Sequence, residues 1–70
     1  MKLSARNQLK GTVTEIQPGA VNGIVKLDIG GGNTVTSTIS MASIQELNLK
    51  VGSTAYAVIK ATSVMLGVDD

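Results

Sequence analysis

From Leu9 onward, apolar and polar positions alternate. Leu9, Gly11 and Val13 fall on one side, and Lys10, Thr12 and Thr14 on the other. A period of two places successive side chains on opposite faces of a strand. Gln17, Pro18 and Gly19 end this strand with turn chemistry. A second alternating run spans Val21 to Ile29. Val21, Gly23, Val25, Leu27 and Ile29 share one face, and Asn22, Ile24, Lys26 and Asp28 the other. Gly30, Gly31, Gly32 and Asn33 then predict a hairpin turn, because Gly and Asn tolerate positive φ. A Gly-rich loop can also cradle phosphate, but that use needs a helix behind it, and here a strand follows.

Thr34 to Ile39, rich in Thr and β-branched residues, predicts the third strand. The period then changes. Ile44 and Leu47 are three apart, and Ser43 with Glu46 fits a capping box, so a short helix is expected over Met41 to Leu47. Asn48 to Gly52 turns the chain. Thr54 to Lys60 predicts a strand, and Ser63 to Val68 another, with Val64, Leu66 and Val68 alternating. Met1 to Ala5 offers a short edge strand, and Asp69 with Asp70 a solvated tail. Gly11 inside a strand predicts a bend or a close backbone approach. Five strands, with one short helix between the third and fourth, is the element order of an OB-fold. The expected fold is therefore all-β, a five-stranded Greek-key barrel. Residues 1–70 are expected to form a single domain, with no internal repeat, linker or low-complexity segment.

Composition narrows the function. A 70-residue domain buries only about 60% of the surface its unfolded chain exposes, so stability alone is marginal. There is no Cys, hence no disulfide to compensate, and no His. Without either residue a zinc or iron site is not expected, and triad-type catalysis lacks its usual base. No pair of neighbouring carboxylates on a shared face stands in for it, so no enzyme is expected. Aromatics are 1% of the chain, the single Tyr56, so the core is aliphatic. Several strands carry apolar residues on both faces: Ile24 sits beside Val25, and Ile59 beside Val58. One small barrel has one interior. The second set needs another partner, and burial between copies is the simplest one. No apolar run approaches the length that spans a bilayer, and MKLSARN lacks the apolar stretch of a signal peptide. A cytoplasmic protein with no membrane partner is the expectation.

The chemistry concentrates in Ser4 to Gly11, SARNQLKG. It offers a hydroxyl at Ser4, a guanidinium at Arg6, a carboxamide at Asn7 and backbone N–H groups around the small Ala5. No carboxylate lies among them. Fixed positive charge with many donors suits an oxyanion, since hydrogen bonds to charged acceptors are short and strong. Two other places supply donors. Ser40 and Ser43 stand at the helix entrance, where the amides from Met41 onward are expected to be unpaired. Lys60 and the backbone of Ala61 stand at the end of the fourth strand. Each has a plainer reading. Ser4 and Asn7 can cap a turn, Arg6 and Lys60 can be solvated surface charges, and Ser40 and Ser43 are first of all helix caps. Met41 and Met65 read as packing.

SARNQLKG resembles the signature of the molbindin (Mop domain) family, small bacterial proteins and modules that bind molybdate or tungstate. TSTISMASIQELNLKVG, Thr36 to Gly52, is similar to the strand–helix–turn of that family, and AVIKATSVMLGV, Ala57 to Val68, to its closing strands. The resemblance implies an OB fold and a homohexamer arranged as a trimer of dimers. It implies an anion site between subunits, with Ser4, Ala5, Arg6, Asn7, Lys60 and Ala61 on one side. Ser40, Met41 and Ser43 come from the neighbour. It implies a second kind of site near a three-fold axis, to which the turn Ala20, Val21, Asn22 and Gly23 corresponds. Molybdenum or tungsten would enter only as the oxyanion, with no cofactor and no metal held by side chains. The implied role is storage or buffering. The competing function is an OB-fold nucleic-acid binder. Such modules stack bases on aromatics in a basic groove, whereas this chain has one Tyr and a net charge of +1, so no nucleic-acid partner is expected.

Overall fold

The computed structural model describes residues 1–70. Four strands form one antiparallel sheet: β1 (Asn7–Gln17), β2 (Asn22–Gly30), β3 (Asn33–Ser40) and β4 (Thr54–Ile59). One helix, α1 (Met41–Glu46), joins β3 to β4. The order across the sheet is β3-β2-β1-β4, so β3 and β4 are its two free edges.

The hairpin between β2 and β3 is a two-residue turn at Gly31 and Gly32, with φ of +63° and +80°. Gly30 and Asn33 close it as a pair. Both central residues need positive φ, which suits the right-handed twist of the flanking strands. Gly11 meets its expectation: a Cβ there would press into the Asp28 carbonyl and sit 2.9 Å from Leu27 Cγ. Without that side chain, β1 and β2 approach closely.

The pairing of β1 with β2 shifts between Val13 and Glu15, leaving Thr14 as an extra residue. Such a bulge flips the phase of a strand. Odd positions face inward before it, ending at Val13, and Ile16 packs against the core after it. The core is Val13, Val25, Leu27 and Ile44, with Val13 only 1% exposed. Ile44 brings α1 down onto the sheet. Gly23 makes room for it, because a Cβ there would meet Ile44 Cδ1 at 2.7 Å and Met41 Sδ at 2.9 Å.

Two expected strands do not form. The chain leaves β4 at Ile59 and makes one 3-10 turn, Ala61–Ser63. That turn directs Ser63–Val68 away from the sheet, so no edge is beside it to pair with. Met65, Leu66 and Val68 are 91%, 95% and 93% exposed. The expected strand at Met1–Ala5 also lacks a partner, since pairing of β1 with β4 begins at Asn7 and Ile59. The sheet is thus a curled half-barrel of four strands rather than a closed barrel of five. A groove of about 740 Å³ runs along its open side, between Val35 and Ile39 of β3 and Ala55 and Ala57 of β4. Val25 and Leu27 form part of its lining.

Candidate oxyanion site

Ser4, Ala5 and Arg6 lead into β1, and Lys60 and Ala61 lead out of β4. Because Asn7 pairs with Ile59, the start of one strand and the end of the other lie side by side. The consequence is one surface cavity of about 460 Å³, lined by Ser4, Ala5, Arg6, Lys60 and Ala61 together. Every residue expected on that side of the site reaches it except Asn7.

Asn7 instead binds the two arms to each other. Its Nδ2 donates to the Ile59 carbonyl at 3.2 Å, across 52 positions of sequence. This bond fixes the signature against the residue before Lys60. The cavity also takes in Leu3, Val58 and Thr62, which sequence reasoning passed over. Val58 was legible, since residues two apart on a strand share a face with each other, here Val58 and Lys60. Leu3 carries no such signal.

The cavity is rich in unused donors. Ser4, Ala5, Arg6 and Lys60 lie outside every helix and strand, and none of their N–H groups donates within the chain. The chain's ion pair joins Lys26 to Glu15 at 3.9 Å. Arg6 and Lys60 have no carboxylate within that reach, so their charge is not neutralised internally. The lining contains no carboxylate and no aromatic ring.

The helix entrance is built differently from expectation. Ser40 is the N-cap of α1, with φ −65° and ψ 149°. Its Oγ accepts from the Ser43 N–H at 3.0 Å and donates to Ser43 Oγ at 2.9 Å. The Met41 N–H donates to the Val21 carbonyl at 2.8 Å. Two amides expected to be free are therefore taken, Met41 by the β2 entrance and Ser43 by the cap. The Ser43 hydroxyl hydrogen remains to donate, polarised by the bond it accepts from Ser40.

This entrance lies far from the cavity. Ser40 pairs with Asn22 at one end of the sheet, beyond Gln17 of β1, whereas Asn7 stands at the other end of β1. Asn7 to Gln17 spans ten steps, about 30 Å at ~3.3 Å per residue. One chain cannot close both donor sets around one anion. The turn at Ala20–Gly23 belongs to the helix end. Val21 is 73% exposed and its carbonyl holds the Met41 N–H, while Gly23 is buried under α1.

Residues 3–66 match the TOBE domain model. The probable molybdenum-pterin-binding protein of Haemophilus influenzae is 65% identical over 69 residues, covering 99% of this chain and 100% of that protein. MopII from Clostridium pasteurianum superimposes with a TM-score of 0.89 at 48% identity, covering 96% of this chain and 100% of that one. The cytoplasmic molybdate-binding protein ModG, in a molybdate-bound crystal structure, gives a TM-score of 0.92 at 51% identity, over 99% of this chain and 49% of that one. The chain belongs to the molbindin (Mop) family of TOBE domains.

Proposed function

We propose that this chain binds molybdate or tungstate as an intact tetrahedral dianion, at sites shared between copies of itself. The observation that carries the reading is the convergence of two cations and several unpaired N–H groups in one cavity without a carboxylate. A tetrahedral dianion accepts hydrogen bonds on all sides, and this cavity supplies donors from one side only. Ser4 contributes its hydroxyl, Ala5 and Arg6 their amides, and Arg6 and Lys60 the charge that balances the dianion. Ala61 contributes backbone. A neighbouring copy contributes the Ser43 hydroxyl from its Ser40-capped helix entrance, with Met41 shaping the corner. Asn7 holds the two arms together.

The magnitudes are sufficient. About six hydrogen bonds to a charged acceptor, at ~1.5–3 kcal/mol each, give roughly 9–18 kcal/mol gross. Micromolar binding needs about 8 kcal/mol. The remainder covers dehydration and ordering. A pterin ring would want an aromatic platform, and the lining offers none. The same lack argues against an OB-fold nucleic-acid module.

Residues 1–70 act as one Mop unit in a homohexamer, a trimer of dimers. Support comes from the half-barrel's open apolar groove and from the exposed Met65, Leu66 and Val68. The turn Ala20–Gly23 would line the second kind of site near the three-fold axis. The role is non-enzymatic storage or buffering of the oxyanion in the cytoplasm. Calorimetry with molybdate, tungstate and sulfate tests this reading. Tight molybdate binding with weak sulfate binding is expected. Sulfate bound as tightly as molybdate would defeat the selectivity, and no binding of any of the three would defeat the function.

A further inference from the structure

Gln8 stands outside the cavity, yet it is tied to the cavity's backbone. Its Nε2 donates to the Ala5 carbonyl at 3.0 Å. Ala5 and Arg6 line the cavity, and Gln8 does not. A trans peptide unit is planar, with its C=O and N–H pointing in opposite directions. The Ala5 carbonyl and the Arg6 N–H belong to one such unit. Drawing the carbonyl toward Gln8 turns the Arg6 N–H the other way, and that N–H has no acceptor within the chain.

Orientation matters here because the unit carries an acceptor and a donor of similar strength. Rotated by half a turn, it would present the Ala5 oxygen to a dianion and withdraw the Arg6 amide. The segment before β1 has no ladder bonds to prevent that rotation, since pairing starts at Asn7. The Gln8 carboxamide is the side chain that holds the Ala5 carbonyl. Asn7 does the corresponding work one residue earlier, at the Ile59 carbonyl.

We infer that Gln8 is a positioning residue of the oxyanion site, holding the Ala5–Arg6 peptide so that the Arg6 N–H is presented to the anion. The inference rests on the oxyanion reading above and deepens it. Gln8 touches no ligand itself and acts through the backbone of Ala5.

The test uses the full chain, with molybdate as the probe and Gln8→Met and Gln8→Ala as variants. Gln8 is exposed, so neither variant disturbs the core. Gln8→Met keeps the length of the side chain and removes only its donor. Losing one side-chain hydrogen bond to backbone corresponds to roughly a fivefold weakening of molybdate binding in each. The specific readout is the Arg6 amide resonance in 15N-labelled protein. Wild type should show a large downfield shift of this resonance on adding molybdate, and both variants a reduced one. Wild-type affinity and an unchanged Arg6 shift in Gln8→Met would overturn the inference, leaving the oxyanion reading intact. Weakened binding with an undiminished Arg6 shift would overturn it as well. Absence of binding by wild type would instead remove the oxyanion reading itself.

Discussion

Ser40 and Ser43 form a two-step relay: the Ser43 N–H donates to Ser40 Oγ, and Ser40 Oγ donates its hydrogen back to Ser43 Oγ, 2.9 Å away. The cap thus uses up the first hydroxyl and leaves the second with a hydrogen to give. The two serines are chemically alike but have different work to do.

That division predicts opposite outcomes for two neighbouring substitutions. Ser40→Ala removes the cap and should cost about 1 kcal/mol of stability. Ser43→Ala keeps its backbone N–H and so keeps the cap, with stability within about 0.5 kcal/mol of wild type. Molybdate affinity should fall roughly fivefold in Ser43→Ala for loss of one donor. Urea midpoints and calorimetry on the two variants check the pair. Equal stability losses would show that the cap is shared rather than divided.

In the proposed site Arg6 and Lys60 supply the charge, and both are exposed, without an internal carboxylate partner. Arg6→Ala and Lys60→Ala should each weaken molybdate binding by roughly tenfold to a hundredfold, the loss of one or two charge-assisted bonds. Neither change touches the core, so the urea midpoint and the elution volume should stay at wild-type values. Calorimetry and size-exclusion chromatography check this. Full affinity in both variants would remove the proposed site.

Gly23 couples the sheet to the helix entrance. A methyl group at Gly23 would sit 2.7 Å from Ile44 Cδ1 and 2.9 Å from Met41 Sδ, both of which must move to admit it. Gly23→Ala should therefore cost about 1–3 kcal/mol, the usual range for overpacking. By shifting α1 it should also weaken molybdate binding, although residue 23 is buried. A urea midpoint equal to wild type would mean that the helix adapts freely.

These contacts show what a linear chain discloses. Alternation over Val21 to Ile29 and the Gly-rich turn placed β2 and its hairpin within a residue of their observed bounds. The change of period at Ile44 and Leu47 placed α1. Alternation at Val64, Leu66 and Val68 predicted a strand that has no neighbour in the single chain. Periodicity reports which faces a segment offers, not whether an edge lies beside it. The bulge at Thr14 was invisible for a related reason, because register belongs to two strands. Donor types at Ser4, Arg6 and Lys60 were legible one by one. Their meeting was expected only from the family resemblance, not from residue types or periodicity, since it depends on the pairing of Asn7 with Ile59. The Met41 amide was expected to be free because its partner, the Val21 carbonyl, lies in a different turn.

The unpaired terminal segment yields the last prediction. Met65, Leu66 and Val68 are more than nine-tenths exposed, and the β3 and β4 edges of the sheet bound an open apolar groove. Burying a Leu side chain is worth about 1.5–3 kcal/mol. A chain that leaves three such side chains in water gains by associating through them, and a lone domain of this size needs the gain. Deleting residues 64–70 should leave the four-stranded sheet folded, because no core side chain lies in that segment. It should dissociate the proposed homo-oligomer, and molybdate affinity should fall at least fivefold with it, since the Ser43 hydroxyl then comes from no neighbour. Leu66→Asp is the milder version and should shift the dissociation midpoint at least tenfold toward higher protein concentration. Light scattering after size exclusion reads the mass, and circular dichroism reads the sheet. Assembly at wild-type strength after the deletion would place the contact between copies elsewhere on the chain.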